Sequence, residues 1–275
     1  QEDKLIPTDP LRKQASEDYP YALNDALYAH RSTRSAIWKL LLESEPQEQD
    51  PEEPEVIYSD LNFMLLAALA EKLLGQPMDD YLVRYLYQPL GMAHTAFHPK
   101  LQHPGWRYPP TALDLTFTRG ILRGFVNDEV AALQGGVAGH AGLFTTGWDL
   151  TKLLLKQEGR YGDVAFLQPE TVQRFTAKQL AHSRKGLGFD KPEYDEEAPQ
   201  PTSMKASPSA FGHLGFTGCA AWVDPDKDLA VAILANRVYP SPEPNLWSDE
   251  SARTQTMELI YEAIEKGQQP KQKAN

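Results

Sequence analysis

The chain has 275 residues, 41% of them hydrophobic, which suffices for one large domain or two small ones. A formal charge of −11 and a pI near 5.1 argue against a nucleic-acid or anionic-membrane surface. No apolar run approaches the roughly 18 residues needed to cross a bilayer, and the single cysteine, Cys219, excludes an internal disulfide and a thiolate metal centre.

Residues 1–42 carry scattered charges and aromatics, and Gln1-Glu2-Asp3-Lys4 does not read as a signal peptide. The spacing of Ala36, Ile37, Leu40 and Leu41 predicts a helix over Tyr21–Leu42. Residues 43–55 hold three prolines, seven carboxylates and no apolar side chain, the composition of a solvated linker. This divides the chain into an N-terminal helix with an acidic linker (1–55) and a main region (56–275). Residues 56–180 of that region are mainly helical, and 209–266 hold a hairpin and a last helix.

Leu61, Met64, Leu65, Ala68, Leu69 and Leu73 recur at three- and four-residue spacing and predict a helix. Ser59 or Asp60 can cap its start, and Gly75 followed by Pro77 ends it. A second helix is expected from Asp79 to about Tyr87, with Asp79 as cap. Residues 92–128 are rich in proline and aromatics with little periodicity. Four glycines crowd Gly135–Phe144. A helix follows over Trp148–Lys156, capped by Thr146 or Gly147, with Leu150, Leu153 and Leu154 inward. Pro169 suits the first position of another helix reaching about Leu180. Residues 191–208 read as an acidic, proline-rich loop.

The stretch from Gly212 to Arg237 reads as a hairpin: two apolar runs flank the turn formers Asp224-Pro225-Asp226-Lys227-Asp228. The second run, Leu229–Leu234, has the composition of a strand covered on both faces. Gly212, Gly215 and Gly218 mark either a bulge or the close approach of a ligand. A final helix is expected over Glu250–Lys266, with Met257, Ile260, Tyr261 and Ile264 on one face. Helices followed by strands indicate an α+β chain with helices packed on an antiparallel sheet. Two strands do not make a stable sheet, so further strands must lie in 92–145 and 1–35 or come from a segment outside this chain.

Several chemistries find no support. His-Glu-x-x-His, Gly-x-Ser-x-Gly and a Walker loop are absent, and the glycines at 135–142 do not follow the dinucleotide pattern. His94 and His98 have helical i, i+4 spacing, but in a stretch that reads as loop. No cofactor or metal site is therefore expected.

Five segments in order carry a resemblance. Tyr58-Ser59-Asp60-Leu61-Asn62-Phe63-Met64-Leu65-Leu66 resembles a Tyr-Ser-Asn helix start. Leu74-Gly75-Gln76-Pro77-Met78 through Gln88-Pro89-Leu90-Gly91-Met92 resembles a "TGxP…PLGM" signature. Gly136–Phe144 resembles "GGVAGHAGLFST", Gly212–Gly218 resembles "GHTGFTG", and Asn236–Pro240 resembles "NRVxP". Together they resemble the serine β-lactamase and penicillin-binding-protein superfamily, in its class C-like esterase and DD-peptidase branch, over roughly three quarters of the chain.

The resemblance implies a β-lactamase/transpeptidase-like fold and hydrolysis of an amide, lactam or ester through an acyl-enzyme. It implies Tyr58 as general base or proton relay, Asp60 as a hydrogen-bond partner of substrate or lysine, and His213 as a polar group near a substrate carboxylate. Ser59, Gly215, Phe216 and Thr217 would contact substrate, with backbone N–H groups near Phe216–Thr217 in an oxyanion hole. It also implies a small-molecule or peptide substrate and a periplasmic or secreted location. From the residues alone, Tyr58 can equally be a packed aromatic, Asp60 a helix cap and His213 a satisfied strand-edge histidine.

The sequence departs from the branch in one respect above all: Ser-x-x-Lys occurs nowhere in it. The nearest pattern, Ser35-Ala36-Ile37-Trp38-Lys39, is one residue too long and lies too close to Tyr58. This chain is therefore expected to be inactive alone. Three explanations fit: a companion N-terminal chain carrying Ser-x-x-Lys, a truncated or cleaved product, or a non-catalytic peptidoglycan- or protein-binding module. Leu214, where the branch has threonine, lacks the hydroxyl, and Asp60 for asparagine removes a hydrogen-bond donor.

Overall fold

The computed structural model describes residues 9–46, 48–52, 55–157, 167–249 and 251–268. Residues 47, 53 and 54 of the predicted linker and Glu250 at the start of the predicted last helix lie outside them. The chain divides into two compact units, the first running to Asp149 with Val238–Ser241, the second comprising Leu150–Arg237 and the residues from Pro242.

The first unit opens with β1 (Leu11–Arg12), β2 (Tyr21–Ala22) and β3 (Tyr28–Ala29), an antiparallel sheet of order β1-β3-β2. The helix predicted over Tyr21–Leu42 is thus shorter than expected: α1 spans Ser32–Glu43. Asn24 decides this, because its side-chain oxygen accepts the Ala26 N–H at 2.7 Å and turns the chain, and Leu23 N–H then closes on Leu27 O at 2.8 Å. On α1, Ala36 and Leu41 are buried but Leu40 is 68% exposed.

Helix α2 (Asp60–Leu74) starts and stops where expected: Ser59 Oγ accepts the Leu61 N–H, and Gly75 closes it at φ +67°. Helix α3 (Met78–Leu82) follows Pro77, so Asp79 lies inside its first turn rather than capping it, and a π-helical turn continues over Val83–Tyr87. The region without periodicity holds β4 (Ala96–Phe97), α4 (Pro99–Gln102), β5 (Ala112–Asp114) and β6 (Gly120–Leu122). After α5 (Glu129–Leu133), strand β7 (Leu143–Phe144) pairs with β4, while β5 pairs with β6. Strands are therefore present in both intervals named from the sequence, but they pair among themselves in sheets of two or three strands, and none of them joins the sheet formed by the hairpin region. The Arg119 guanidinium is buried against Asp114 and the carbonyls of Val126 and Asn127, a paired arrangement that satisfies a buried charge.

Helix α6 (Gly147–Gln157) contains the division between the units, and Thr146 Oγ1 accepts the Asp149 N–H at its start. In the second unit α7 (Pro169–Thr176) ends short of Leu180. The predicted hairpin is a three-stranded sheet of order β10-β9-β8: β8 (Phe211–Leu214), β9 (Ala220–Asp224) and β10 (Leu229–Ile233). The run read as one strand is broken by a turn in which Gly215 N–H donates to Cys219 O at 2.7 Å. Gly212 makes room for the protein itself, since a Cβ there would lie 2.4 Å from the Trp222 ring.

Helices α8 (Leu246–Asp249) and α9 (Ala252–Gln268) complete the unit. Trp222, Val231, Met257 and Tyr261 form one core cluster, and Leu154, Phe211 and Val223 another. The 191–208 loop is anchored at both ends, where Lys191, Thr202 and Ser203 are buried, while residues 194–197 between them are exposed. The chain is α+β, with helices and small antiparallel sheets.

Candidate functional site

Tyr58, Ser59 and Asp60 belong to the first unit; His213, Gly215, Phe216 and Thr217 belong to the second. In the first unit, Ser59 is occupied as the α2 cap. Tyr58, immediately before it, is 58% exposed, its ring 6.4 Å from that of Phe63. Asp60 is exposed in the first turn of α2, where the helix dipole favours a carboxylate.

The tertiary structure adds two residues beside Asp60. Side-chain ligand atoms of Asp60, Asp128 and His140 lie within 4.8 Å of one another. Asp128 caps α5, its Oδ1 accepting the Ala131 N–H at 2.7 Å, and the same oxygen faces His140 Nε2 at 3.0 Å. Burial alone would raise the Asp128 carboxyl, but hydrogen bonds from His140 and Ala131 outweigh it and hold the group below the usual carboxylate range. His140 comes from the glycine-rich loop. Gly139 seats that loop on α2, because a Cβ there would meet the Phe63 carbonyl oxygen at 2.1 Å.

In the second unit, His213 sits on β8 opposite Ala221, its Nδ1 2.7 Å from Leu214 O. Gly215–Gly218 forms the turn after β8. The backbone N–H groups of Phe216 and Thr217 donate to no acceptor among the described residues. Phe216 is 68% exposed. Two arginines hold this turn from behind. Arg237 Nε donates to Phe216 O at 2.8 Å with its guanidinium over the Phe216 ring, and Arg253 Nη1 donates to Gly215 O and Cys219 O. Burial, and then the charge of Arg237, lower the Arg253 pKa.

Sequence reasoning missed Asp128, His140, Arg237 and Arg253 as site residues. His140 and Arg237 stand inside segments already singled out, but nothing local distinguishes them. Asp128 ends the proline- and aromatic-rich stretch in which the sequence shows no pattern.

The Beta-lactamase family profile matches residues 13–254. The chain belongs to that family. It is 32% identical over 259 residues to a provisionally named D-alanyl-D-alanine carboxypeptidase of Escherichia coli O157:H7, covering 85% of this chain and 57% of that protein. A similarly named protein of Salmonella schwarzengrund is 32% identical over 215 residues, 70% of this chain and 48% of the relative. The chain therefore spans about half the length of the relatives it matches. Simvastatin synthase of Aspergillus terreus shares the fold, with a TM-score of 0.52 and 19% identity over 77% of this chain and 55% of the synthase.

Proposed function

We propose that this chain is the C-terminal, substrate-pocket portion of a β-lactamase-like serine hydrolase that cleaves an amide, lactam or ester through an acyl-enzyme. The serine nucleophile belongs to a Ser-x-x-Lys segment outside this sequence. The observation that carries the reading is the exposed Tyr58-Ser59-Asp60 start of α2 in a chain of this family that has no Ser-x-x-Lys of its own.

In this reading Tyr58 moves the proton between the nucleophile and the leaving group. Asp60 pairs with the lysine ammonium or a substrate N–H. The free N–H groups of Phe216 and Thr217 stabilise the tetrahedral oxyanion. His213, Arg237 and Arg253 favour a substrate bearing a carboxylate, as a peptide terminus or a penicillin does. The exposed leucines of α2 support the reading, because Leu61, Leu65, Leu69 and Leu73 form an apolar stripe that is 43–77% exposed. The names of the carboxypeptidase relatives make a D-alanyl peptide the first substrate to try.

The test combines the purified chain with the portion of its Escherichia coli relative that lies outside the matched stretch, using a fluorescent penicillin. The chain alone should not be labelled. The assembled pair should be acylated on the Ser-x-x-Lys segment, and Tyr58→Phe should slow acylation by about 10²–10⁴-fold. A stable complex that never acylates overturns the hydrolase reading. It would favour the second one, a non-catalytic peptidoglycan- or protein-binding module, for which Leu214 in place of a hydroxyl residue is the supporting observation.

A further inference from the structure

We propose that Asp60, Asp128 and His140 form a binding site for a divalent first-row cation of the Zn²⁺ or Mn²⁺ kind. The three residues come from the start of α2, the cap of α5 and the glycine-rich loop. They are distant in sequence, yet one ligand atom from each lies within 4.8 Å of the other two. One imidazole with two carboxylates is a nitrogen–oxygen donor set suited to these ions rather than to soft metals.

The geometry is close to what coordination needs. Metal–ligand bonds of about 2.0–2.2 Å place neighbouring donors roughly 3.0–3.5 Å apart. His140 Nε2 and Asp128 Oδ1 already stand 3.0 Å apart. A cation would replace the proton they share. Asp60 is the arm that closes. It is exposed, and its carboxylate has no hydrogen bond or ion pair with a described residue. Coordination asks its carboxylate oxygen to approach the other two donors from within 4.8 Å to roughly 3.0–3.5 Å.

A second observation concerns His140 itself. Its side chain is only 3% exposed, and its Nδ1 has no hydrogen-bond partner among the described residues. Burying a half-satisfied imidazole is costly. Its Nε2 faces the Asp128 carboxylate at 3.0 Å, with a carboxylate oxygen of Asp60 in the same cluster. Two of the three donors are also fixed in advance. Asp128 is locked by its cap bond to Ala131, and Gly139 seats the His140 loop against the α2 backbone. Preorganised donors lose little freedom on binding.

The hydrolase reading pairs Asp60 with the lysine of a Ser-x-x-Lys segment that is not in this sequence, so the test uses the purified chain itself, where that lysine does not compete. Isothermal titration with ZnCl₂ and, separately, MnCl₂ should show one saturable equivalent with at least one of the two ions. Co²⁺ should give a visible absorption band from nitrogen–oxygen ligation. Asp60→Asn changes an exposed side chain and should leave the circular dichroism and melting curve unchanged while weakening binding at least about tenfold. His140→Gln should do the same if it folds, and Asp60→Asn suffices if it does not. Absence of saturable binding with both ions overturns the proposal. So does binding that Asp60→Asn leaves unchanged, since the ion then sits elsewhere, for example at the exposed surface near His94.

Discussion

Helix α2 and the β8–β9–β10 sheet with helix α9 are both written in regular apolar patterns, yet they end in opposite environments. In the second unit, Trp222, Met257 and Tyr261 are 1–2% exposed and the sheet and helix close on each other. On α2 only Met64 is buried, and Leu73 at the far end of the stripe is 77% exposed. The lesson is that periodicity specifies an element and the face it offers. Whether that face is covered depends on what else is present. A helix with a good cap, a C-terminal glycine and strong helix formers persists with its stripe open. A three-stranded sheet needs a packed face to hold together.

The contrast can be broken by mutation, beginning with its most buried member. Trp222→Ala should cost about 3–5 kcal/mol in denaturant unfolding, the usual penalty for emptying a packed aromatic site. A small effect would show that the second unit's core is looser than its burial indicates. Tyr261→Phe should cost about 1.5–3 kcal/mol, because it removes the 2.8 Å hydrogen bond to the buried Asp224 carboxylate, whose Oδ1 has no partner among the described residues.

At the other end of the scale, Leu73→Ser on the open stripe should change stability by no more than about 0.5 kcal/mol. A loss comparable to that of a core leucine would mean that something covers α2 in the purified protein.

Alkaline titration sharpens the comparison, because each unit buries a tyrosine whose pKa is strongly raised. Burial, and then the charge of Asp79, push Tyr87 up to about 12, and burial with Asp224 raises Tyr261 as well. The unfolded chain releases these protons near 10 while the folded chain holds them. Their contribution is therefore present below pH 10 and is lost as pH rises through the folded values. Tyr87→Phe should flatten the stability loss between about pH 10 and 12 while leaving neutral-pH stability nearly unchanged. An unchanged alkaline limb would sink this assignment.

Much of this architecture was legible in the sequence where a single residue acts locally. Ser59 and Gly75 bound α2, Thr146 starts α6 and Pro169 starts α7, because caps and φ preferences need no distant partner. The reading failed where one short contact redirected the chain. Asn24 turned part of a predicted helix into strands, and the Gly215–Cys219 turn split an apparent strand in two. Of the candidate site, Tyr58, Asp60, His213 and the Phe216–Thr217 backbone were visible as motif positions, and the missing Ser-x-x-Lys was visible as an absence.

The sequence by itself determined the family pattern, the helix ends and the acidic character of the chain. Only the tertiary structure decided that Asp128 and His140 stand beside Asp60, that Arg237 and Arg253 grip the turn after β8, and that the α2 stripe stays open. Local backbone preferences act over a few residues and can be read in order. Side chains that meet across dozens of residues depend on close approaches such as Gly139 against the Phe63 carbonyl, which leave no periodic mark in the chain.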